Sequence, residues 1–346
     1  MVSRILVTGG CGMLGGSLLR RLHAEGYRAH GVDQREPAEP ADGIEHTVAD
    51  IRDRAAMSRA LAGADAVVHT AAALPSYPAE QIRSVIVDGT EAVLAAARAA
   101  GVPRVVYISS TAVYGLPKVV PTTEDHPVEP VDTYGQAKAD AERVCDRFRA
   151  GGLCVPVIRP KTFVGPGRMG LFAMLFEWAE EGRNFPVLGR GDVRTQMCAL
   201  DDLLDALLTV LAADADTAND TFNIAAAEFG TLREDFQAVL DAAGHGKRVV
   251  SIPARPAVSV LELLGRARLS PVYRRLLHKL LADSYVSIDK AGARLGFAPR
   301  YSNEDALLQA YAWWRERLGE SGGGPAGRTS REPWRQGTLA AAKVFF

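Results

Sequence analysis

The sequence lacks three features that would each have named a class of protein. Its four cysteines, Cys11, Cys145, Cys154 and Cys198, are scattered with no CxxC spacing. That argues against a disulfide framework or a zinc site and fits a reducing compartment. No apolar run approaches the roughly 18 residues that a membrane span needs. The start, "MVSRILVTGG", enters a strand at once and leaves no room for a signal peptide. Nor is charge of one sign in excess: 40 Lys and Arg stand against 41 Asp and Glu, a formal net charge of −1. This balance gives no reason to expect a nucleic-acid or membrane partner. A cytoplasmic, soluble protein is expected, and 346 residues suffice for one large or two modest domains.

What is present is a strong alternation. The β-branched runs Ile5–Val7, Val67–His69, Val105–Ile108 and Val155–Ile158 are separated by helical stretches at Gly16–Glu25, Ala79–Ala100 and Thr133–Ala150. Continuous apolar strands divided by helices predict an α/β fold, a doubly wound parallel sheet covered on both faces. Residues 1–165 hold this pattern. In 166–318 the order loosens, with helices expected at Leu171–Glu181, Asp201–Ala212, Leu232–Ala243, Val258–Arg268, Pro271–Ala282 and Ser302–Leu318 and a strand near Thr221–Ile224. Ligands of such folds bind at the carboxyl ends of the strands, so the later segments are expected to form a smaller cap over that edge. Residues 319–346 read as a Gly-rich tail with an apolar end, "TLAAAKVFF".

Two local patterns carry chemistry. In "TGGCGMLG", Gly9, Gly12 and Gly15 let the backbone turn tightly and approach a pyrophosphate, which the helix start at Gly12, Met13 and Leu14 would hold. Asp33 follows 18 residues beyond Gly15. Its carboxylate suits ribose hydroxyls and repels a 2′-phosphate, favouring NAD, with Arg35 beside it as the one residue pointing to NADP. Downstream, "TYGQAK" sets Tyr134 and Lys138 four residues apart, on one helical face. A nearby ammonium favours the phenolate of a tyrosine whose ordinary pKa is about 10. The pair can then move a proton off an alcohol while hydride leaves its carbon. Ser110, in "SSTAVYG", is the natural third member, donating to the developing carbonyl oxygen.

These pieces, with "ADIRD", "VVHTAA", "DGTEAVLAAA", "IRP…GPG" and "IDKAGARLGFAPRYS", resemble the extended short-chain dehydrogenase/reductase family over residues 1–318. The resemblance implies a Rossmann-like doubly wound sheet with a smaller C-terminal α/β substrate-binding cap. It assigns Tyr134 as acid/base, Lys138 as ribose ligand and Ser110 as a substrate contact. Asp50 and Ile51 would contact the adenine, Ala71, Ala72 and Ala73 would line the cofactor, and Pro160 to Thr162 would pass near the nicotinamide. A homodimer is also implied.

"VYG" and "TEDHPVEPVDTYGQAK" look most like the nucleotide-sugar branch, so an NAD-dependent 4-epimerase is the first expectation. Dehydratases of the branch carry Asp-Glu where Thr111 and Ala112 stand, and decarboxylases carry Glu at Ala112. A methyl group moves no proton, so elimination and decarboxylation are disfavoured. Substrate contacts are expected from Ser110, Thr111, Thr162, Arg168, Arg194 and Lys279. Three departures each remove a grip on a diphosphate and weaken the sugar assignment: Thr162 replaces the usual Asn, Thr195-Gln196 replace an Arg-Asp pair, and "KLLAD" replaces an Arg-x-Gly-Asp run. Five cations between Arg266 and Lys279 suit an anionic substrate or a solvated helix face. The leucines of 261–281 suit a core or, alternatively, an apolar alcohol such as a hydroxysteroid. Ile86 stands where the family has Asn. Arg159 suits either an ion-pair anchor or a substrate contact, and His69 and Cys11 are expected to be structural.

Overall fold

The computed structural model describes residues 3–116, 118–167, 172–258 and 280–318. Seven strands form one parallel sheet: β1 (Arg4–Thr8), β2 (Arg28–Asp33), β3 (Glu45–Val48), β4 (Ala66–His69), β5 (Val105–Ile108), β6 (Val157–Pro160) and, far along the chain, residues Thr221–Ile224. Their spatial order is β3-β2-β1-β4-β5-β6 followed by the 221–224 strand. The strands read as continuous apolar runs because both faces are buried. Ile5, Val7, Val68, Val106 and Ile158 pack on one side with α1 (Met13–Ala24) and the helix Leu200–Ala212. Leu6, Val67, Val105, Tyr107 and Val157 pack on the other, against helices that include Arg54–Leu61 and Thr133–Ala150.

The strand expected at Val155–Ile158 runs two residues later. Pro156 has no N–H to give a ladder, so regular pairing starts at Val157, opposite Tyr107 and Thr221. The long helix expected over 79–100 is real but has a π-helical turn at Ser84–Asp88, in which Ile86 is buried.

Beyond β6 a third apolar cluster forms around Phe176, Trp178, Phe185, Leu232, Val239, Leu307 and Tyr311. It unites the helices Phe172–Glu180, Leu232–Ala243 and Asn303–Glu316 with two small parallel sheets, Phe163–Val164 with Cys198–Ala199 and Phe185–Leu188 with Val249–Ile252. The expected helices at Val258–Arg268 and Pro271–Ala282 lie mostly outside the described residues, and 319–346 lies wholly outside them. Among the described residues, no helix is long and apolar enough to cross a membrane.

Sheet order reverses between β1 and β4: β2 and β3 lie on one side of β1, and β4, β5 and β6 lie on the other. The carboxyl ends of β1 and β4, Thr8 and His69, therefore open the crevice in which ligands of this architecture bind.

Candidate active site

At that crevice the backbone does the shaping. A Cβ added to Gly15 would stand 2.2 Å from the Gly9 carbonyl oxygen, and one at Gly9, where φ is +72°, would stand 2.9 Å from Ala71 Cα. Side chains at either position would fill the cradle. α1 starts at Gly12 with no side-chain cap and no acid in its first turn, so its positive dipole end faces the crevice. Asp33 ends β2 beside this turn and accepts from the Cys11 and Arg35 amides at 3.1 and 3.2 Å, with the Arg35 guanidinium 3.7 Å away. Asp50 accepts from Gln34 at 2.7 Å and is bridged by Arg52, which holds its carboxyl below the usual range. Ile51 is buried; after β4, Ala71 lies against the Gly9 turn, Ala72 is exposed and Ala73 is buried in the core. A tight glycine turn, an uncapped helix start and a strand-end carboxylate together fit a dinucleotide with free ribose hydroxyls.

Two residues expected to be structural are so placed. The Cys11 thiol donates to the Arg35 carbonyl at 3.1 Å. His69 is fully enclosed, with Nδ1 2.6 Å from the Thr8 hydroxyl and Nε2 3.1 Å from that of Thr90. Burial pushes its pKa down to about 3.

Next along the sheet edge, β5 leads through Ser109 into a short 3-10 turn, Thr111–Tyr114. Ser110 starts that turn, its Oγ accepting from the Ala112 amide at 3.1 Å. The helix Thr133–Ala150 packs directly on it: a Cβ at Gly135 would lie 2.8 Å from the Ala112 carbonyl oxygen. Glycine immediately after Tyr134 thus permits the close approach of the tyrosine's helix to the serine's turn. Asp132 caps this helix by accepting from the Gly135 amide at 2.6 Å. Tyr134 is half-buried. Lys138 is buried, donates from Nζ to the Ile108 carbonyl at 2.7 Å, and stands 5.9 Å from the Tyr134 ring centroid. Burial lowers its pKa to about 8, against the opposing pull of Glu142. Ala112, only 2% exposed, presents no titratable group.

Beneath this pair lies a buried network of which the sequence singled out Arg159 alone. Glu142 takes two hydrogen bonds from Arg159, at 3.0 and 2.6 Å, and a short one from the Ser109 hydroxyl. Arg159 also donates to the Tyr114 hydroxyl at 2.8 Å, which in turn donates to Asn223 at 2.8 Å. Arg159 is therefore the ion-pair anchor. The sequence does hold one signal of this network: Tyr134, Lys138 and Glu142 repeat every four residues on a single helical face.

The region expected to meet the substrate is assembled from distant pieces. Thr111 lines a small cavity with Tyr114, Lys161, Ser284, Tyr285 and Val286. Lys161, buried between Pro160 and Thr162, donates to both the carbonyl and hydroxyl oxygens of Ser284 at 2.8 Å. Thr162 is exposed, and its carbonyl accepts from the Cys198 amide. Arg194 is exposed at the rim with its guanidinium 4.7 Å from the Phe229 ring centroid and 5.2 Å from that of Tyr285. Gln196 does not face the cavity as a substitute grip. It is buried, donating to the Ala226 carbonyl at 2.7 Å and accepting from the Val286 amide at 2.8 Å. Arg168 and Lys279 lie outside the described residues, as do the other cations of 266–279 and the leucines before 280. Leu280 packs against the cap core and Leu281 is exposed.

Residues 5–225 match the model of the NAD dependent epimerase/dehydratase family. The chain is 32% identical to UDP-glucose 4-epimerase of Mycolicibacterium smegmatis, over 70% of this chain and 83% of that protein. It is 28% identical to 3 beta-hydroxysteroid dehydrogenase/Delta 5-->4-isomerase of Mycobacterium tuberculosis, over 90% of each. Its fold matches UDP-glucose 4-epimerase of Thermotoga maritima with a TM-score of 0.76 and 24% identity, covering 91% of this chain and 99% of that one. With the cradle, the strand-end carboxylate and the family match together, this chain is an NAD-dependent enzyme and belongs to the NAD dependent epimerase/dehydratase family.

Proposed function

We propose that the enzyme epimerises a nucleotide sugar at a ring carbinol, C4 in the simplest case. The observation that carries the chemistry is the packing of the Tyr134 helix on the Ser110 turn, with Lys138 buried behind it and Ala112 inert beside it. NAD, when bound, supplies the acceptor and donor of hydride. Tyr134, as phenolate, takes the carbinol proton, and Lys138 stabilises that charge. Ser110 donates to the carbonyl oxygen that forms. Tyr134 returns the same proton when the keto sugar is reduced on its other face. Gly9, Gly12, Met13, Leu14, Asp33, Asp50, Ile51 and Ala71 to Ala73 hold the cofactor, and Pro160 and Thr162 border its reactive end. Without an acid at position 112 the keto sugar meets no group to drive elimination.

A sugar substrate is supported by the likeness to the mycobacterial UDP-glucose 4-epimerase and by Arg194, which presents a cation on an aromatic platform at the rim. One observation favours a second reading, net oxidation of a non-nucleotide alcohol: Gln196 is spent on backbone groups, leaving no Arg-Asp grip for a diphosphate. Incubating the purified enzyme and NAD with UDP-glucose or UDP-galactose separates the two. Interconversion with no net NADH is expected. Steady NADH accumulation with a hydroxysteroid, and no sugar interconversion, would overturn the sugar reading in favour of the second.

A further inference from the structure

We propose that Glu142 is a positioning residue for the reaction, the buried counter-charge that keeps Lys138 an ammonium and so makes Tyr134 an effective base. Three elements meet at this carboxylate: β5 through the Ser109 hydroxyl, β6 through the bidentate Arg159, and its own helix, which carries Lys138 one turn earlier and Tyr134 two turns earlier. Lys138, Glu142 and Arg159 are 3%, 7% and 6% exposed. Charges so enclosed interact strongly and must balance locally.

The groups facing Lys138 from each packed element leave Glu142 as its source of negative charge. From β4, His69 is neutral near physiological pH, because burial lowers its pKa to about 3. From β5, Tyr107, whose ring centroid is 4.9 Å from the Lys138 nitrogen, is held neutral by burial. On the same helix burial also keeps the Cys145 thiol protonated. From β6, Arg159 is committed to Glu142, while Glu124 meets Arg159 through its backbone carbonyl. Lys138, Glu142 and Arg159 therefore sum to one positive charge, which a single phenolate at Tyr134 neutralises. Remove the carboxylate and burial favours a neutral Lys138, so the phenolate loses its support.

This inference rests on the acid/base reading of Tyr134 and not on the substrate. Its test is a pH titration of tyrosinate ultraviolet absorbance in the full-length NAD complex, with the Tyr134→Phe signal subtracted. The wild type is expected to show one tyrosine ionising below the ordinary value of about 10. In Glu142→Gln that midpoint rises by about one unit or more. Glu142→Asp, which keeps the charge, restores it. Should Glu142→Gln fail to fold, Glu142→Gln combined with Arg159→Met removes both buried charges; Lys138 still loses its carboxylate but also a neighbouring cation, so a smaller rise in the same direction is expected. A variant midpoint equal to that of the wild type, with only thermal stability reduced, overturns the inference and leaves the ion pair structural. A wild-type Tyr134 that ionises only at its ordinary value overturns it too. Because the titration needs no substrate, its outcome is independent of a failed sugar assay.

Discussion

The two ends of the cleft are built by different means. At the NAD end, shape comes from backbone: glycines within seven residues make the cradle, and a helix start supplies its polarity. At the other end, shape comes from side chains drawn from across the chain, with Thr111, Lys161 and Tyr285 lining one cavity and Arg194 stacked on Tyr285. A backbone cradle tolerates almost no change but leaves the outer side chains to vary. A side-chain wall can be rewritten residue by residue without disturbing the fold. Tyr134 and Lys138 stand between them, on a helix packed against the turn that carries Thr111.

That contrast can be broken first at the seam. Tyr134→Phe should lower turnover by about 10²- to 10⁴-fold, as loss of a general acid/base does, while NAD binding measured by calorimetry stays near wild type. Loss of NAD binding in this variant would mean that the tyrosine shapes the cradle rather than the chemistry.

Acid probes the floor of the NAD end. His69 has a folded pKa of about 3, against about 6.5 in an unfolded chain. Between those values the unfolded chain takes up a proton that the folded one refuses. Stability is therefore retained above about pH 6.5 and falls with acid by up to about 1.4 kcal/mol per unit from this group. Denaturant melts across that window, compared with His69→Gln, should show the steeper slope in the wild type.

Gly15→Ala sharpens the backbone side of the comparison. Its methyl would meet the Gly9 carbonyl oxygen, and overpacking of this kind costs about 1–3 kcal/mol. Both thermal stability and NAD affinity should fall together. An unchanged NAD affinity would show that the turn has room to give.

The smallest effect belongs at the rim. Arg194→Ala should raise KM for a UDP-sugar several-fold with kcat unchanged, since an exposed cation contributes roughly 0.5–1 kcal/mol. Equal loss of kcat would place Arg194 nearer the reacting carbon than its stacking on Phe229 and Tyr285 suggests.

Much of the NAD end is legible in the sequence because its contacts are local. The glycine spacing, Asp33 at a strand end and the Tyr134/Lys138 pair each act within one turn or one βα unit, where sequence distance and spatial distance agree. Helix Thr133–Ala150 and strand Val105–Ile108 match their expected bounds to the residue, since their periodicity is uninterrupted. Strand β6 is displaced from its expected place because an apolar run does not disclose which N–H groups a proline removes from the ladder. Gln196 looks like a lost grip in the sequence because its partners, Ala226 and Val286, lie 30 and 90 residues away. Nothing in its neighbourhood signals that a sheet would close around it.

By itself, then, the sequence determined the parallel sheet, the glycine turn and the shared helical face of Tyr134 and Lys138, because each follows from short-range geometry that any chain with those residues must obey. Only the tertiary structure decided that Arg159 belongs to Glu142, 17 residues away, that Lys161 anchors Ser284 across 123, and that Gln196 holds the cap rather than the substrate. Buried charges and amides must find partners wherever the fold supplies them. Which partner is supplied depends on how the elements pack, and that is set by the whole chain rather than by any stretch of it.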